Sequence, residues 1–316
     1  MTVAFVFPGQ GSQALGMGKA LAENFASARA VFEEVDAALG QKLSSLMWEG
    51  PDADLTLTEN AQPALMAVSM AALRVLESEH GISLAKTAKF VAGHSLGEYS
   101  ALAAAGAFSL ADTAHLLKIR GRAMQAATPV GVGAMAALLG LDFATASAVA
   151  AEAAQGEVCQ AANDNSDGQV VISGTKAAID RACEIAKAKG AKRAILLPVS
   201  APFHCALMKP AADAMAKALA EVQMNAPVVP LIANVLAAPT SDPALIRQKL
   251  VEQVTGTVRW RECVSYMAGQ GVKLFVEIGA GKVLTGLAKK NAPEATAVAA
   301  GTPDDIAAAA AIIKQG

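Results

Sequence analysis

The sequence predicts an α/β protein in which a smaller unit is inserted into a larger one. Three observations carry this expectation. Short apolar runs end in glycine-rich turns and pass into helical stretches, the strand–turn–helix alternation of α/β chains. Hydrophobic residues make up 53% of the 316 residues and charged residues 17%, enough apolar surface for a sizeable core and too much for disorder. Between residues 128 and 198 the rhythm changes to strand–helix–strand–strand–helix–strand.

The elements follow in order. Val3–Phe7 is an apolar run closed by Pro8-Gly9-Gln10-Gly11-Ser12, a strand and a tight loop. Residues 62–80 carry Leu65, Val68, Ala72 and Leu76 at helical spacing. A second short strand, 89–93, runs into Gly93-His94-Ser95-Leu96-Gly97 and a helical stretch over 96–105. Residues 110–127 read as another helix, with Ala114, Leu117 and Ala123 on one side. In the middle, 132–141 is strand-like, 144–154 an alanine-rich helix, and 158–162 and 169–173 two strands. Those two strands flank Asn163-Asp164-Asn165-Ser166-Asp167-Gly168, which reads as a turn because its residue types favour turns. A helix over 176–189 and a strand over 193–197 complete a β-α-β-β-α-β order, the ferredoxin-like motif. The expected division is 1–127 with 199–316 for the large unit and 128–198 for the small one. Beyond it come a strand at 228–233, two helices between 243 and 270, and a strand at 272–278. After Ala292 the alanine-rich tail carries no readable pattern.

Composition excludes several functions. Lys and Arg total 26 against 28 for Asp and Glu, so no global basic field points to nucleic acid. Mean hydropathy is +0.38, yet no apolar run approaches the ~18–20 residues of a membrane span. The first residues lack a basic signal-peptide region and read as a buried strand. Cys159, Cys183, Cys205 and Cys263 are scattered and form no C-x-x-C pair, indicating neither a zinc site nor a disulfide framework. The expectation is a soluble cytoplasmic protein with no metal and no cofactor.

The strongest local motif is Gly93-His94-Ser95-Leu96-Gly97, a G-x-S-x-G between strand and helix. Such a turn lifts a serine Oγ out of the sheet and aims backbone N–H groups at a bound carbonyl. Of the four histidines, His80 and His115 fall on helices, and His94 adjoins the serine on a turn whose neighbours point apart. His204, in a loop with Pro198 and Pro202, is the best general base. Between serine and histidine no carboxylate has the strand-end context of a triad acid, so a backbone carbonyl is left to orient the base. Arg120 reads from spacing alone as a solvated helix arginine, although one aimed into an acyl pocket would grip a carboxylate bidentately. The Gln10 loop and Gly279-Ala280-Gly281-Lys282 invite phosphate readings, but neither matches a phosphate-loop pattern.

Together these segments resemble the malonyl-CoA:acyl carrier protein transacylases of bacterial fatty-acid synthesis. The resemblance rests on Phe5-Val6-Phe7-Pro8-Gly9-Gln10-Gly11-Ser12-Gln13, Thr58-Glu59-Asn60-Ala61-Gln62-Pro63-Ala64, the serine segment through Leu102, Arg120-Gly121-Arg122-Ala123-Met124-Gln125, Pro202-Phe203-His204-Cys205-Ala206-Leu207-Met208 and Val258-Arg259-Trp260. Ala280, and Gly256-Thr257, depart from the family pattern at non-catalytic positions. The resemblance implies an α/β-hydrolase-like large domain with a ferredoxin-like insert. It implies Ser95 as nucleophile, His204 as base, Gln253 orienting His204 through its carbonyl, and an oxyanion hole from the N–H groups of Gln10 and Leu96. Arg120 would hold the malonyl carboxylate, Asn163 and Asn234 would lie near the site, and Phe203 would favour malonyl over methylmalonyl. The partners implied are malonyl-CoA and holo acyl carrier protein. Lys187, Lys189, Lys192, Arg193 and Lys289-Lys290 are basic groups suited to an acidic carrier. Rival readings are a serine esterase or thioesterase, an acyltransferase for another extender unit, and a non-catalytic carrier-docking module.

Overall fold

The structure is a computed structural model that describes residues 1–316. Strand β1 (Val3–Phe7) is buried at all five positions, as expected of an apolar run in a parallel sheet covered on both faces. Four helices follow, α1 (Lys19–Asn24), α2 (Ala26–Leu39), α3 (Leu43–Glu49) and α4 (Asp52–Thr56). Helix α5 (Thr58–His80) starts four residues before the predicted 62 and is buried on nearly every side through its first five turns. The short α6 (Leu84–Thr87) leads to β2 (Ala88–Gly93), α7 (Gly97–Ala104) and α8 (Leu110–Ala126).

The chain then builds a second sheet from β3 (Gly133–Leu139), β4 (Cys159–Ser166), β5 (Gln169–Thr175) and β6 (Arg193–Leu196). Helix α9 (Phe143–Ala154) lies between β3 and β4, and α10 (Lys176–Ala188) between β5 and β6. It returns through α11 (Lys209–Glu221), β7 (Leu231–Ala233), β8 (Ala238–Thr240), α12 (Pro243–Thr255), α13 (Trp260–Gly269), β9 (Leu274–Ile278), α14 (Val283–Asn291), β10 (Thr296–Ala300) and α15 (Pro303–Gln315).

The larger sheet has the order β10-β9-β1-β2-β7-β8, all parallel except β8. One face carries the main core, with α5, α7 and α8. The other is closed by Trp260, Val264 and Met267 of α13 with Leu284 and Leu287 of α14. The smaller sheet is antiparallel, in the order β4-β5-β3-β6, and packs on α9 and α10 through alanines such as Ala146, Ala150, Ala178 and Ala182.

Three expectations need correction. The stretch from Asn163 to Ser166 is strand, not turn, and the turn is confined to Asp167-Gly168, with Gly168 at φ 71°. Its polar side chains are tolerated because β4 is irregular there and borders the other sheet's elements. Asp164 accepts from Arg261 Nε (3.0 Å), and Asn165 receives Asn291 Nδ2 on its carbonyl (2.8 Å). The alanine-rich tail is also structured: β10 pairs with β9, and α15 starts at Pro303 behind the capping Thr302. The strands expected at 228 and 272 begin instead at Leu231 and Leu274.

The two sheets are stitched by main chain. Asp164 N donates to Val258 O (2.9 Å) and Val258 N to Ala162 O (2.8 Å), an isolated parallel bridge. Thr257 Oγ1 adds a bond to Ala161 O (2.7 Å). No helix is long and apolar enough to cross a membrane.

Candidate active site

Ser95 stands at the carboxyl end of β2, before α7, at φ 55°. Tight packing dictates its glycine neighbours: a Cβ on Gly93 would lie 1.9 Å from Gly97 O, and one on Gly97 2.2 Å from Phe7 O. His204 is the other chemical residue held at positive φ, 58°. Non-glycine residues rarely adopt this conformation, so the surrounding bonds must hold both in place. Asn234, just past β7, clamps the serine turn from both sides. Its Oδ1 accepts from Ser95 N (2.8 Å) and its Nδ2 donates to Gly93 O (2.7 Å).

The Ser95 hydroxyl lies 2.7 Å from His204 Nε2, and His204 Nδ1 donates to the main-chain oxygen of Gln253 (2.8 Å). That bond fixes the tautomer, leaving Nε2 free to accept the serine proton. Gln253 sits in the last turn of α12, where carbonyls lack intrahelical donors. Burial, and after it the Arg120 charge, lower the His204 pKa to about 3, so the imidazole is neutral across the physiological range.

Arg120 corrects the solvated reading, for it is 1% exposed. Gly121 lets α8 lie directly on the start of α5, since a Cβ there would meet Glu59 Cα at 2.5 Å. The guanidinium therefore reaches Gln62 Oε1 through Nη1 (2.8 Å), and Gln253 Oε1 (2.8 Å) and Ser95 Oγ (3.1 Å) through Nη2. Its Nε has no partner, and its hydrogen-bond acceptors are all neutral. The Glu98 charge is near enough to favour the cation, but no carboxylate touches it, and a buried cation so placed favours a ligand that brings one into contact.

Gln10, Ser95, Arg120, Asn163, Phe203 and His204 line one cavity of about 580 Å³, with Met124, Met135 and Leu197 among its apolar wall. Gln253, Asn234 and Leu96 lie behind that surface. The amides of Gln10 and Leu96 donate to no protein group, and Leu96 immediately precedes α7, so both are available to a developing oxyanion. Of the remaining histidines only His94 borders this cavity, and its ring is engaged on the far side. His94 turns to Asn165 Oδ1 (2.8 Å) and Trp260, His115 donates to Ala38 O (2.6 Å), and His80 ends α5. No cluster of three or more His, Cys, Asp or Glu is arranged to hold a metal.

Three buried residues of the site were given no role by sequence reasoning. Thr58 Oγ1 donates to Gln10 Oε1 (2.6 Å), and Gln62 Nε2 donates back to Thr58 Oγ1 (3.3 Å), linking the Arg120 and Gln10 side chains. Glu98, fully buried one turn after Ser95, accepts from Asn234 N and Gln253 Nε2, both at 3.0 Å. Burial raises its pKa to about 7. Thr58 and Gln62 fall inside a segment legible as a motif; only the fold reveals what they touch.

A serine joined to a neutral imidazole, beside free amides and a buried guanidinium, can accept an acyl group and select one bearing a carboxylate. The chain belongs to the acyl transferase domain family, which matches residues 4–308. Among its relatives, the malonyl CoA-acyl carrier protein transacylase of Escherichia coli K12 is 48% identical over 306 residues, 97% of this chain and 98% of that protein. The Bacillus subtilis protein of the same name is 46% identical over 314 residues, 99% and 98% of the two chains. The crystal structure of the acyl-carrier-protein S-malonyltransferase from Bartonella henselae superposes with a TM-score of 0.97 at 58% identity, covering 99% of this chain and 100% of that one. A malonyl-transacylase solved in complex with its type II PKS acyl-carrier protein gives a TM-score of 0.95 at 42% identity, covering 99% and 100%.

Proposed function

We propose that this chain moves the malonyl group from malonyl-CoA to the phosphopantetheine thiol of acyl carrier protein, through a malonyl ester on Ser95, in fatty-acid biosynthesis. The observation that carries the reading is Arg120: a buried guanidinium without an acidic partner, 3.1 Å from the Ser95 hydroxyl. Such a group suits an acyl chain ending in a carboxylate and would be left unsatisfied by acetyl.

In the first half-reaction Ser95 Oγ attacks the thioester carbonyl and its proton passes to His204 Nε2. Gln10 and Leu96 N–H groups hold the oxyanion. The C–S bond then breaks, and the coenzyme A thiolate recovers the proton from the imidazolium. In the second, His204 takes the proton of the carrier thiol, the thiolate attacks the serine ester, and Ser95 Oγ leaves and is reprotonated. Gln253 holds the imidazole in the tautomer both halves need. Asn163 and Phe203 shape the cavity wall, and Asn234 keeps the serine turn in place. Base, nucleophile and oxyanion donors are all supplied by the chain, so the proposed chemistry calls on no cofactor, and the setting is the cytoplasm.

For the architecture we infer an α/β-hydrolase-like domain, 1–127 with 199–316, carrying a ferredoxin-like insert over 128–198. The strand order β4-β5-β3-β6 with α9 and α10 packed together supports the insert. Of the basic groups suited to the carrier, Lys187 and Lys189 are engaged by Glu184 and Glu152, whereas Lys192 and Arg193 have no acidic partner.

The test is intact-protein mass after brief incubation with malonyl-CoA. A single malonyl adduct on the wild type, absent from Ser95→Ala and removed by holo acyl carrier protein, is the expected result. Free malonate without an adduct would instead indicate a hydrolase.

A further inference from the structure

Three carboxyl groups are buried in this chain, and two have evident structural work. Asp164 pairs with Arg261, and Glu277 caps α14 by accepting from Leu284 N, Thr285 N and Thr285 Oγ1. Glu98 has neither occupation. It is fully buried in α7, its Oε1 has no partner, and its Oε2 receives two neutral donors, Asn234 N and Gln253 Nε2.

Those donors belong to the two residues that fix the reacting pair. Asn234 holds Ser95 N and Gly93 O on either side of the strained serine turn. Gln253 binds Ser95 O through its side-chain amide (2.9 Å) and His204 Nδ1 through its main-chain oxygen (2.8 Å). One carboxylate oxygen therefore joins the support of the nucleophile to the support of the base. We propose that Glu98 is a positioning residue for acyl transfer, setting the Ser95–His204 geometry through Asn234 and Gln253. This rests on the serine acylation proposed above.

Packing alone does not call for a carboxyl here. An apolar residue of similar size would fill the volume but leave the Asn234 amide and one Gln253 amide hydrogen without their acceptor. Gln253 Nε2 would then keep its bond to Ser95 O and a long contact with Asn234 Oδ1 (3.4 Å), and Oε1 its bond from Arg120 Nη2 (2.8 Å), but the link through which Gln253 and the Asn234 main chain hold one another would be gone. Displacements of about 1 Å at that distance from the chemistry can slow a reaction on the order of a hundredfold.

The experiment is rapid-quench measurement of malonyl-Ser95 ester formation by the full chain, in the wild type and in Glu98→Gln, Glu98→Asp and Glu98→Leu, with a thermal melt of each. Glu98→Leu is expected to acylate about a hundredfold more slowly, while the malonyl-CoA concentration giving half-maximal rate moves by less than about threefold. Glu98→Gln keeps an oxygen in reach of both amides and recovers most of the rate. Glu98→Asp keeps the charge but withdraws the oxygen by one methylene, and falls below Glu98→Gln. That order distinguishes position from charge and remains readable if Glu98→Leu does not fold. The proposal is overturned if folded Glu98→Leu acylates at the wild-type rate, if half-saturation shifts in place of the rate, or if Glu98→Asp outperforms Glu98→Gln. A wild type that forms no ester would instead overturn the acyl-transfer reading, and this proposal with it.

Discussion

Around the six-stranded sheet the chain buries Glu98, Arg120, His204, Asn234 and Gln253, all hydrogen-bonded to one another or to Ser95. The four-stranded sheet packs on its helices through alanine, valine, leucine, isoleucine and two cysteines. The contrast follows from topology. Parallel strands end on a common edge, and here β1, β2 and β7 deliver Gln10, Ser95 and Asn234 to it, as open α/β sheets do at their ligand sites. An antiparallel sheet gathers no such set of strand ends, and the smaller one contributes mainly wall: Met135, Asn163 and the segment after β6. The mutually bonded polar set thus belongs to the larger unit; the smaller one also buries Asn163, Asp164, Ser166 and Ser173 on its strands, but the core between its sheet and helices is close packing of small side chains.

The contrast is most sharply tested at Arg120. Arg120→Ala should lower the first-turnover rate with malonyl-CoA at limiting concentration by the loss of a buried charged contact, on the order of 2–5 kcal/mol. The rate with acetyl-CoA should fall much less, and rapid-quench assays with both donors measure the difference. An equal loss with both would mean that Arg120 serves the Ser95–His204 pair and not the acyl carboxylate.

A smaller effect, of the opposite kind, is expected in the four-stranded unit. Ala150→Leu overfills the interface between α9 and its sheet, where Ala150 is 1% exposed, and should cost about 1–3 kcal/mol in chemical denaturation. Acylation by the protein that remains folded should be unchanged. A matching loss of rate would show that the two regions are not separable.

The third expectation is a near-absence of change. With the His204 pKa held at about 3, the acylation rate should stay level from pH 8 down to pH 5 or so, where an unperturbed imidazole would already be protonated. Stability should respond instead. Below about 6.5 unfolded His204 binds a proton that the folded chain refuses, so its contribution is lost as pH falls from there toward 3. Glu98 acts in the other direction. The unfolded chain releases its proton near 4.5 and the folded chain near 7, so stability declines as pH rises between those values. Denaturation curves at pH 5, 6, 7 and 8, compared with those of Glu98→Gln, separate the two.

Sequence reasoning reached Ser95 and His204 because a strand–turn–helix serine and a loop histidine carry local signals, and it reached the backbone orienter by finding no suitable acid. Gln253, Gln10 and Leu96 came only with the family resemblance, for nothing local marks a carbonyl or an amide as functional. Glu98, Thr58 and Gln62 stayed without roles because their partners lie up to 155 residues away along the chain. The polar run at 163–166 was misread for a related reason. Turn preference is a local property, whereas the groups that make Asp164 and Asn165 acceptable in a strand, Arg261 and Asn291, come from much later in the sequence. Alanine, the commonest filler of the small core, has too little hydrophobic contrast to mark the tail strand β10 and its helix α15.

The Val258 bridge sets a rule for recombination among relatives. Asn163 and its neighbours on β4 share main-chain bonds with Val258, a side-chain bond with Thr257 and an ion pair with Arg261. Strands β3 to β6 are contiguous in sequence, but the strip they dock on is encoded 96 residues beyond Ala161 of β4. A chimera that exchanges the β3–β6 segment alone inherits a mismatched edge, whereas one that also carries the 257–261 segment transplants the joint intact.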